Sequence, residues 1–173
     1  GTCFAQEKFP TKPVTLIISW SPGGGQDLTS RALQPELQKA LGQSVVIVNK
    51  PGGGGSIGFN YVADSKPDGY TVLQASPSIN VLKYTLKAGV DYTRYEPVLF
   101  GAYTPAAILV RTDAPWNNLK EFLDYAKANP GKLRVGNSGH GGIWHISSLA
   151  IEHAAGVKVT HVPYRGTSPS IPA

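Results

Sequence analysis

The 173-residue sequence predicts an α/β protein built on parallel β-sheets. Two observations favour this fold class. Short β-branched apolar runs alternate with longer segments whose apolar residues recur at helical spacing. Glycine-rich segments at residues 21–26, 52–56 and 136–142 each connect a predicted strand to the helix that follows it. A single helix between consecutive strands is typical of βαβ units, whose strands lie parallel with right-handed crossovers.

The first predicted unit begins with the β-branched run Val14–Ile18, which favours a buried strand. The helix after it ends at Gly42, a typical C-terminal cap. Pro35 lies inside this helix and predicts a kink, because proline removes a backbone donor. Asp27 is expected to cap the helix N terminus, and the alternative is that it faces a ligand or holds a water molecule.

Two more strands are predicted in the first half of the chain, at residues 45–48 and 71–75. A helix at residues 57–63 and a Pro-Asp-Gly turn at residues 67–69 lie between them. A polar loop at residues 76–78 follows the third strand. This order extends the parallel arrangement to three strands.

The hydrophobic pattern changes near residue 98. Two short apolar segments, residues 98–103 and 106–111, flank Thr104 and Pro105 and favour a crossing between two lobes. Asn118 is then expected to cap a helix that ends at the Asn-Pro-Gly sequence of residues 129–131.

The βαβ pattern returns after this helix. A strand at residues 132–135, a helix at residues 143–155 and a strand at residues 157–162 are predicted. We therefore divide the chain into a first lobe, residues 6–100, and a partial second lobe, residues 101–173. Residues 1–5 are interpreted as the remnant of an export signal or as a cloning scar, since small residues fit an A-x-A-like cleavage site there.

Composition excludes several functional classes. No apolar run approaches the roughly 20 residues of a transmembrane helix, so we predict no membrane insertion. The single cysteine, Cys3, excludes an internal disulfide and a thiolate zinc cage. The 16 Lys and Arg residues exceed the 11 Asp and Glu residues by five, but they are scattered singly, so we predict no nucleic-acid partner. A net positive field favours small anionic partners.

The three glycine loops are candidate anion sites. Ligands of open α/β sheets bind at the carboxyl ends of the strands, where these loops are predicted. The first N–H groups of a helix have no partner within the helix, and glycine lets backbone donors approach a ligand closely. The alternative is that the glycines only permit sharp turns.

Two other motifs occur in the second loop. Gly53, Gly55 and Gly58 match the G-x-G-x-x-G dinucleotide pattern, but the next strand ends without the acidic residue that would hold a ribose. The same stretch matches G-x-S-x-G around Ser56, which makes an α/β serine hydrolase the alternative function. Its partners in chain order would be Asp113 or Asp124, followed by His145 or His161.

The histidines do not have metal-ligand spacing. His140, His145, His153 and His161 lie 5, 8 and 8 residues apart, unlike the H-x-x-x-H pattern. We predict no metal and no cofactor. His145 is expected either to donate to an anion or to have a structural role. Trp20 and Trp144 flank two of the loops and are expected to line a pocket or to join the core.

Short motifs occur in order along nearly the whole chain: FPTKP at residues 9–13, PGGGQD at 22–27 with Arg31, NKPGGGG at 49–55 with Ile57 and Gly58, PDGYT at 67–71, Gly139 and Gly141 with His145, and HVPYRG at 161–166. In these motifs the chain resembles the Bug-type periplasmic solute receptors of tripartite tricarboxylate transporters. The resemblance implies a non-enzymatic, two-lobed Venus-flytrap receptor that is exported to the periplasm. It implies that the receptor closes on a small-molecule carboxylate and delivers it to integral membrane transporter subunits. It also implies more chain after Ala173, so that this sequence would be an N-terminal fragment.

The ligand-binding residues that the resemblance implies lie in four loops. The first glycine loop contributes Trp20, Ser21, Gly24, Gly25 and Asp27; the second contributes Gly54, Gly55, Ser56 and Ile57; the others contribute Ser76, Asn137, Ser138 and His145. Two positions depart from the family pattern. Asn137 stands where a serine is usual, and the usual hydroxyl near Gly142 is missing beside the bulky Trp144. An aromatic or apolar acid is therefore a hypothesis for the cargo.

Overall fold

A three-stranded parallel sheet organises the first part of the fold. Strands β1 (Val14–Ile18), β2 (Val45–Asn49) and β3 (Thr71–Gln74) lie in the order β2-β1-β3. Helix α1 (Gly25–Leu41) connects β1 to β2, and helix α2 (Ser56–Ala63) connects β2 to β3. Both pairings of β1 are parallel, so the fold class predicted from the sequence is confirmed.

The structure is a computed structural model that describes residues 9–86 and 89–172. The interpretation of residues 1–5, including Cys3, lies outside the described residues. No helix in the described part of the chain is long and apolar enough to cross a membrane.

A second parallel sheet lies in the later part of the chain. Helix α4 (Leu119–Ala128) precedes strand β4 (Arg134–Asn137), and helix α5 (Ile143–Ala155) connects β4 to strand β5 (Thr160–Pro163). The two strands pair in register from Arg134 with Thr160 to Asn137 with Pro163. Helix α5 has the bounds that the sequence predicts.

Strands β4 and β5 begin two and three residues later than the hydrophobic pattern predicts. Val157 does not join a strand, because its N–H donates to the carbonyl of Glu152 at 3.1 Å and completes the C-terminal turn of α5. The N–H of Val159 donates to the side chain of Glu152 at 2.6 Å. The chain therefore becomes a strand only at Thr160, and β4 shifts with its partner.

Helix α3 (Ser78–Thr85) was not predicted. It supplies Leu82 to the core, where Leu82 packs with Phe59 of α2 and with Val90, all three fully buried. The side chain of Tyr95 covers this cluster and donates to the carbonyl of Phe59 at 2.7 Å. Burial raises the pKa of this tyrosine to about 12.

The helix ends follow the predicted capping signals in part. Gly42 has a left-handed conformation and donates to the carbonyl of Gln38 at 2.9 Å, and Asn118 accepts from the N–H of Glu121 at 3.0 Å, so both caps are confirmed. Helix α1 continues through Pro35, while the kink there stays a prediction. The N-cap of α1 is Gly24, so the assignment of Asp27 as the cap is wrong.

Residues 96–111 form neither helix nor strand. They carry large apolar side chains into solvent, with Val98, Phe100, Tyr103 and Leu109 between 80% and 82% exposed. The hydrophobic pattern of the sequence predicts that this segment is the crossing between two lobes. That interpretation, and the lobe boundary at residues 100 and 101, stay predictions.

Candidate functional site

The carboxyl ends of both sheets converge on one cleft of about 590 Å³. Because parallel strands of one sheet share an edge, the loops after β1 and β2 lie on one side of the cleft. The loops after β4 and β5 lie on the other side. The lining residues are Trp20, Ser21, Gly52, Gly53, Gly54, Leu86, Ser138, Gly139, His140, Pro163, Tyr164, Arg165 and Pro169.

The two sides of the cleft are in direct contact at its margins. Ser21 donates to the carbonyl of Arg165 twice, through its N–H at 3.2 Å and through its hydroxyl at 2.9 Å. The hydroxyl of Thr85 donates to the carbonyl of Gly141 at 3.3 Å. These hydrogen bonds join residues that are more than 50 positions apart in the sequence, and they close the cleft at two places.

Gly54 lies at a close approach between the two sides. Its φ is +63°, a left-handed conformation that side chains disfavour. A Cβ at this position would lie 2.7 Å from the carbonyl oxygen of His140 on the opposite side. A Cβ at Gly139 would in turn lie 3.2 Å from the Cα of Gly54. The absence of side chains here permits the contact between the loops.

Trp20 packs between the two sheets. The residue is buried, with 7% of its surface exposed, yet it lines the cleft. A Cβ at Gly55 would lie 3.1 Å from its ring, and a Cβ at Gly142 would lie 3.5 Å from it. The indole therefore packs against the loop before α2 and against the start of α5. Trp144 is half-buried and is not among the residues lining this cleft.

Asp27 fixes the shape of the first glycine loop. Its Oδ2 accepts from the N–H of Gly23 at 2.9 Å and from Nε of Arg31 at 2.9 Å, and its Oδ1 accepts from Nδ2 of Asn49 at 3.0 Å. The hydrogen bond from Arg31 holds the pKa of the buried Asp27 carboxyl below its ordinary value, and the bonds from Gly23 and Asn49 lower it further. The carboxylate is thus engaged by three donors of the protein itself.

Asn137 and Ser138 present polar atoms without partners. Both residues are 3% exposed, and they end β4 at the cleft. The Oδ1 atom of Asn137 accepts from the N–H of Gly139 at 3.0 Å, whereas its Nδ2 and the hydroxyl of Ser138 have no hydrogen-bond partner among the described residues. An unsatisfied buried polar group is costly, so such groups indicate a place for a ligand or a water molecule.

Three histidine rings lie against one another behind this loop. The ring of His145 is 4.4 Å from that of His140 and 4.7 Å from that of His161, centroid to centroid. Its Nδ1 accepts from the N–H of Gly141 at 3.3 Å. Burial lowers the pKa of His145, and the neighbouring His140 and His161 lower it further. A neutral His145 with an unprotonated Nδ1 fits these contacts.

The structure brings part of the sequence-predicted set to the cleft. Trp20, Ser21, Gly54 and Ser138 line it. Asn137 and His145 are buried next to the lining loop, and Gly55 lies against Trp20. The others lie further back: Ser56 against Gly53, Ile57 against Gly52, Gly24 against Thr167, and Gly25, Asp27 and Ser76 at the ends of α1 and β3.

Sequence reasoning did not select the residues at and after the end of β5 as site residues. Pro163, Tyr164 and Arg165 line the cleft, and Arg165 is an exposed residue. The signal for them was the strand position, since a segment that follows a parallel strand lies at the same edge as the other loops. Leu86, which ends the unpredicted helix α3, was also missed.

The serine hydrolase alternative finds no support in these contacts. Asp113 pairs with Arg111 at 2.6 Å, and Asp124 pairs with Lys120 at 2.6 Å. Both aspartates are more than half exposed and bind cations of their own segment, so neither orients a histidine. Within residues 9–86 and 89–172, no group of three or more His, Cys, Asp or Glu side chains has the geometry of a metal site.

Comparison with known protein families identifies the chain. The family model described as the tripartite tricarboxylate transporter family receptor, TctC, matches residues 29–173. The chain belongs to this family. The match covers most of the sequence and includes every strand of the two sheets except β1. It confirms the resemblance seen in the motifs.

Individual relatives agree with the TctC assignment. A UPF0065 protein of Cupriavidus necator is 35% identical over 168 residues, which are 96% of this chain and 51% of the relative. The solved periplasmic binding protein BugD is 32% identical with a TM-score of 0.82, over 95% of this chain and 56% of that one. MatC of Rhodopseudomonas palustris, solved with bound malate, is 29% identical with a TM-score of 0.86, over 95% of this chain and 57% of MatC.

A further R. palustris protein, solved with adipate, is 30% identical with a TM-score of 0.77, over 95% of this chain and 56% of that protein. The chain thus spans about half the length of the relatives that it matches. The family and its solved members are solute-binding proteins.

Proposed function

We propose that this chain carries the ligand cleft of a periplasmic receptor that captures a small organic carboxylate between two lobes and delivers it to the integral membrane subunits of a tripartite transporter. One observation carries the proposal. The carboxyl-end loops of two separate parallel sheets meet at one cleft, which is lined by Ser138, and the buried Ser138 hydroxyl and the adjacent Asn137 Nδ2 have no hydrogen-bond partner among the described residues.

The donors suit a carboxylate. The hydroxyl of Ser138 and the Nδ2 of Asn137 can both donate, and each lacks a partner among the described residues. Arg165 adds a guanidinium, whose paired donors match the two oxygens of a carboxylate. Hydrogen bonds to a charged group contribute about 1.5–3 kcal/mol each, so these three groups favour an anion over a neutral ligand.

The helix N termini support the same proposal. Helices α1, α2 and α5 all have a glycine N-cap, at Gly24, Gly55 and Gly142, and none of these caps makes a side-chain hydrogen bond. The N–H groups of Ser56 and Ile143, which begin α2 and α5, donate to Gly53 and Ser78, and the other first-turn N–H groups receive no side-chain cap from the N-cap residues. Such termini attract negative charge through the helix dipole.

Apolar side chains line most of the rest of the cleft. Trp20, Leu86, Pro163, Tyr164 and Pro169 contribute most of the lining that is not backbone. This composition favours a carboxylate with an apolar body, such as adipate or an aromatic acid, over a highly charged tricarboxylate such as citrate. Malate and adipate are ligands of solved relatives, which supports the carboxylate class.

The test is a calorimetric titration of the purified chain with adipate, malate, benzoate and citrate, with adipamide as the uncharged control. We expect saturable binding of at least one carboxylate and none of adipamide. The Ser138→Ala and Arg165→Gln variants should weaken that binding, while Lys127→Gln, on exposed α4, should not. Failure of all four acids to bind a chain with a folded circular dichroism spectrum would overturn the proposal.

A further inference from the structure

Helix α5 begins without a cap of its own. Its N-cap, Gly142, has no side chain and makes no side-chain hydrogen bond. The N–H of Gly142 is satisfied within its loop, by the carbonyl of Gly139 at 3.1 Å. The next N–H, that of Ile143, has no acceptor within the helix, as at every helix start.

Ser78 supplies the missing acceptor from the other sheet. Its hydroxyl oxygen accepts from the N–H of Ile143 at 2.9 Å, across 65 positions of sequence. Ser78 is the first residue of α3, next to the end of β3, and it is fully buried. A Cβ at Gly142 would lie 3.7 Å from this hydroxyl, an ordinary van der Waals distance, so the N-cap position lies directly beside Ser78.

We propose that Ser78 is a cross-sheet cap, a positioning residue that completes the N terminus of α5 from the first sheet and thereby stabilises the arrangement in which the two sheets enclose the cleft. An ordinary N-cap stabilises only its own helix. Here the hydrogen bond exists only while the sheets lie together, so it adds to the stability of the closed arrangement. The hydrogen bonds from Ser21 to Arg165 and from Thr85 to Gly141 are made in the same arrangement.

The cap occupies only one donor of the first turn of α5. The N–H of Ile143 donates to Ser78, whereas the following N–H groups, of Trp144 and His145, have no acceptor within the helix. Ser78 itself does not line the cleft, so it acts through the position of α5 and not by contact with a ligand. The consequence for affinity rests on the proposed carboxylate function, whereas the consequence for closure does not.

The first experiment measures closure without any ligand. Amide hydrogen exchange is compared at two positions, the N–H of Ile143 and the N–H of Ser21, which donates to Arg165 across the cleft. In Ser78→Ala we expect exchange at both amides to accelerate about fivefold, as loss of one hydrogen bond implies. Acceleration at Ile143 alone would show a merely local cap and would overturn the proposal, as would no change at either amide.

Two further variants separate the cross-sheet role from helix capping. Ser147→Ala removes a hydroxyl that donates to the carbonyl of Ile143 within α5, and we expect it to leave the Ser21 amide unchanged. Gly142→Ser, added to Ser78→Ala, supplies a local N-cap at a residue with an ordinary φ of −75°, where the added Cβ would lie 3.2 Å from the carbonyl oxygen of Gly139 and requires a small shift of that loop. We expect it to slow exchange in the first turn of α5 while the Ser21 amide stays fast; recovery at Ser21 would contradict the cross-sheet role.

The second experiment titrates the same proteins with adipate. A protein whose competent state is less populated binds with proportionally lower apparent affinity, so Ser78→Ala should weaken binding by the ratio of the closed fractions of the two proteins, which the protection of the Ser21 amide gives. If the parent chain binds none of the carboxylates, the proposed function fails, and the exchange data still decide the role of Ser78. An affinity ratio that differs from the ratio of closed fractions would overturn the link between closure and binding.

Discussion

Nδ2 of Asn49 donates to Oδ1 of Asp27 at 3.0 Å, which ties the end of β2 to the first turn of α1. The same Nδ2 also donates to the carbonyl of Trp20 at 3.0 Å. Since Asp27 holds the N–H of Gly23, this pair fixes both ends of the loop between β1 and α1. The first two glycine loops therefore have one shared support, well behind the cleft lining.

Removing this support should destabilise the protein. We expect Asn49→Ala and Asp27→Asn each to lower the free energy of unfolding by about 1–3 kcal/mol, because each leaves buried partners unsatisfied. The double variant should cost less than the sum of the two, since both changes break one network. Urea unfolding measures all three. Asp64→Asn is the control, because its exposed pair with Arg94 should contribute less than about 1 kcal/mol; additive costs for the double variant would contradict the shared support.

The stabilisation by Asp27 should also depend on pH. Its pKa is lowered from the ordinary 3.8 by the hydrogen bond from Arg31 in particular, so the folded state favours the charged carboxylate. The contribution is complete above pH 3.8 and is lost as the pH falls through the lower pKa of the folded protein. Acid unfolding followed by circular dichroism should show a shallower dependence in Asp27→Asn than in the parent. Equal slopes for the two proteins below pH 4 would contradict this.

Gly54 should tolerate no side chain. Gly54→Ala places a Cβ against the carbonyl of His140 in a left-handed backbone conformation, so we expect the free energy of unfolding to fall by about 1–2 kcal/mol and adipate binding to weaken. Gly25→Ala is the matched control for stability, because a Cβ at Gly25 meets nothing within 4 Å. Thermal unfolding compares the two variants, and titration compares Gly54→Ala with the parent chain. Equal behaviour of both would show that the loops do not meet at Gly54.

The sequence predicted what depends on local pattern. Strand β1, helix α5 and the caps at Gly42 and Asn118 follow from periodicity and capping chemistry within a few residues. Strand β5 began late because Glu152, on the preceding helix, takes the N–H groups of Val157 and Val159. Strand propensity does not account for this competition between Glu152 and a partner strand for the same N–H groups.

The site was predicted less completely than the fold, for a similar reason. The loops that contain Ser21 and Gly54 were found because glycine and proline mark them in the sequence. Ser78 and Arg165 matter through partners 65 and 144 positions away, and the sequence contains no signal for such pairs. Helix α3 could have been found from the spacing of Ile79, Leu82 and Leu86, which fits one helix face.

The exposed segment at residues 96–111 should bind hydrophobic dyes. Phe100 and Leu109 are 82% and 80% exposed, so replacing both by serine should change the free energy of unfolding by less than about 0.5 kcal/mol while it reduces ANS fluorescence. Leu82→Ala is the contrast, since this fully buried side chain should cost about 2–5 kcal/mol. A large stability loss in the serine variant would mean that the segment is packed in solution.

His145 should make stability fall in mild acid. Burial lowers its pKa in the folded protein, and His140 and His161 add to this while Glu152 opposes it. Above about pH 6.5 the residue is neutral in both states and costs nothing. As the pH falls below this value, the unfolded chain binds a proton that the folded protein does not, so the free energy of unfolding decreases until the lower folded pKa is reached. Protonation there must also break the hydrogen bond from Gly141 to Nδ1.

Urea unfolding between pH 7.5 and roughly pH 5 measures this effect. The free energy of unfolding should decline in the parent and in His153→Gln, which changes an exposed histidine of the same helix, but not in His145→Gln. A decline of equal size in all three proteins would assign the pH dependence to other groups and would remove His145 as its source.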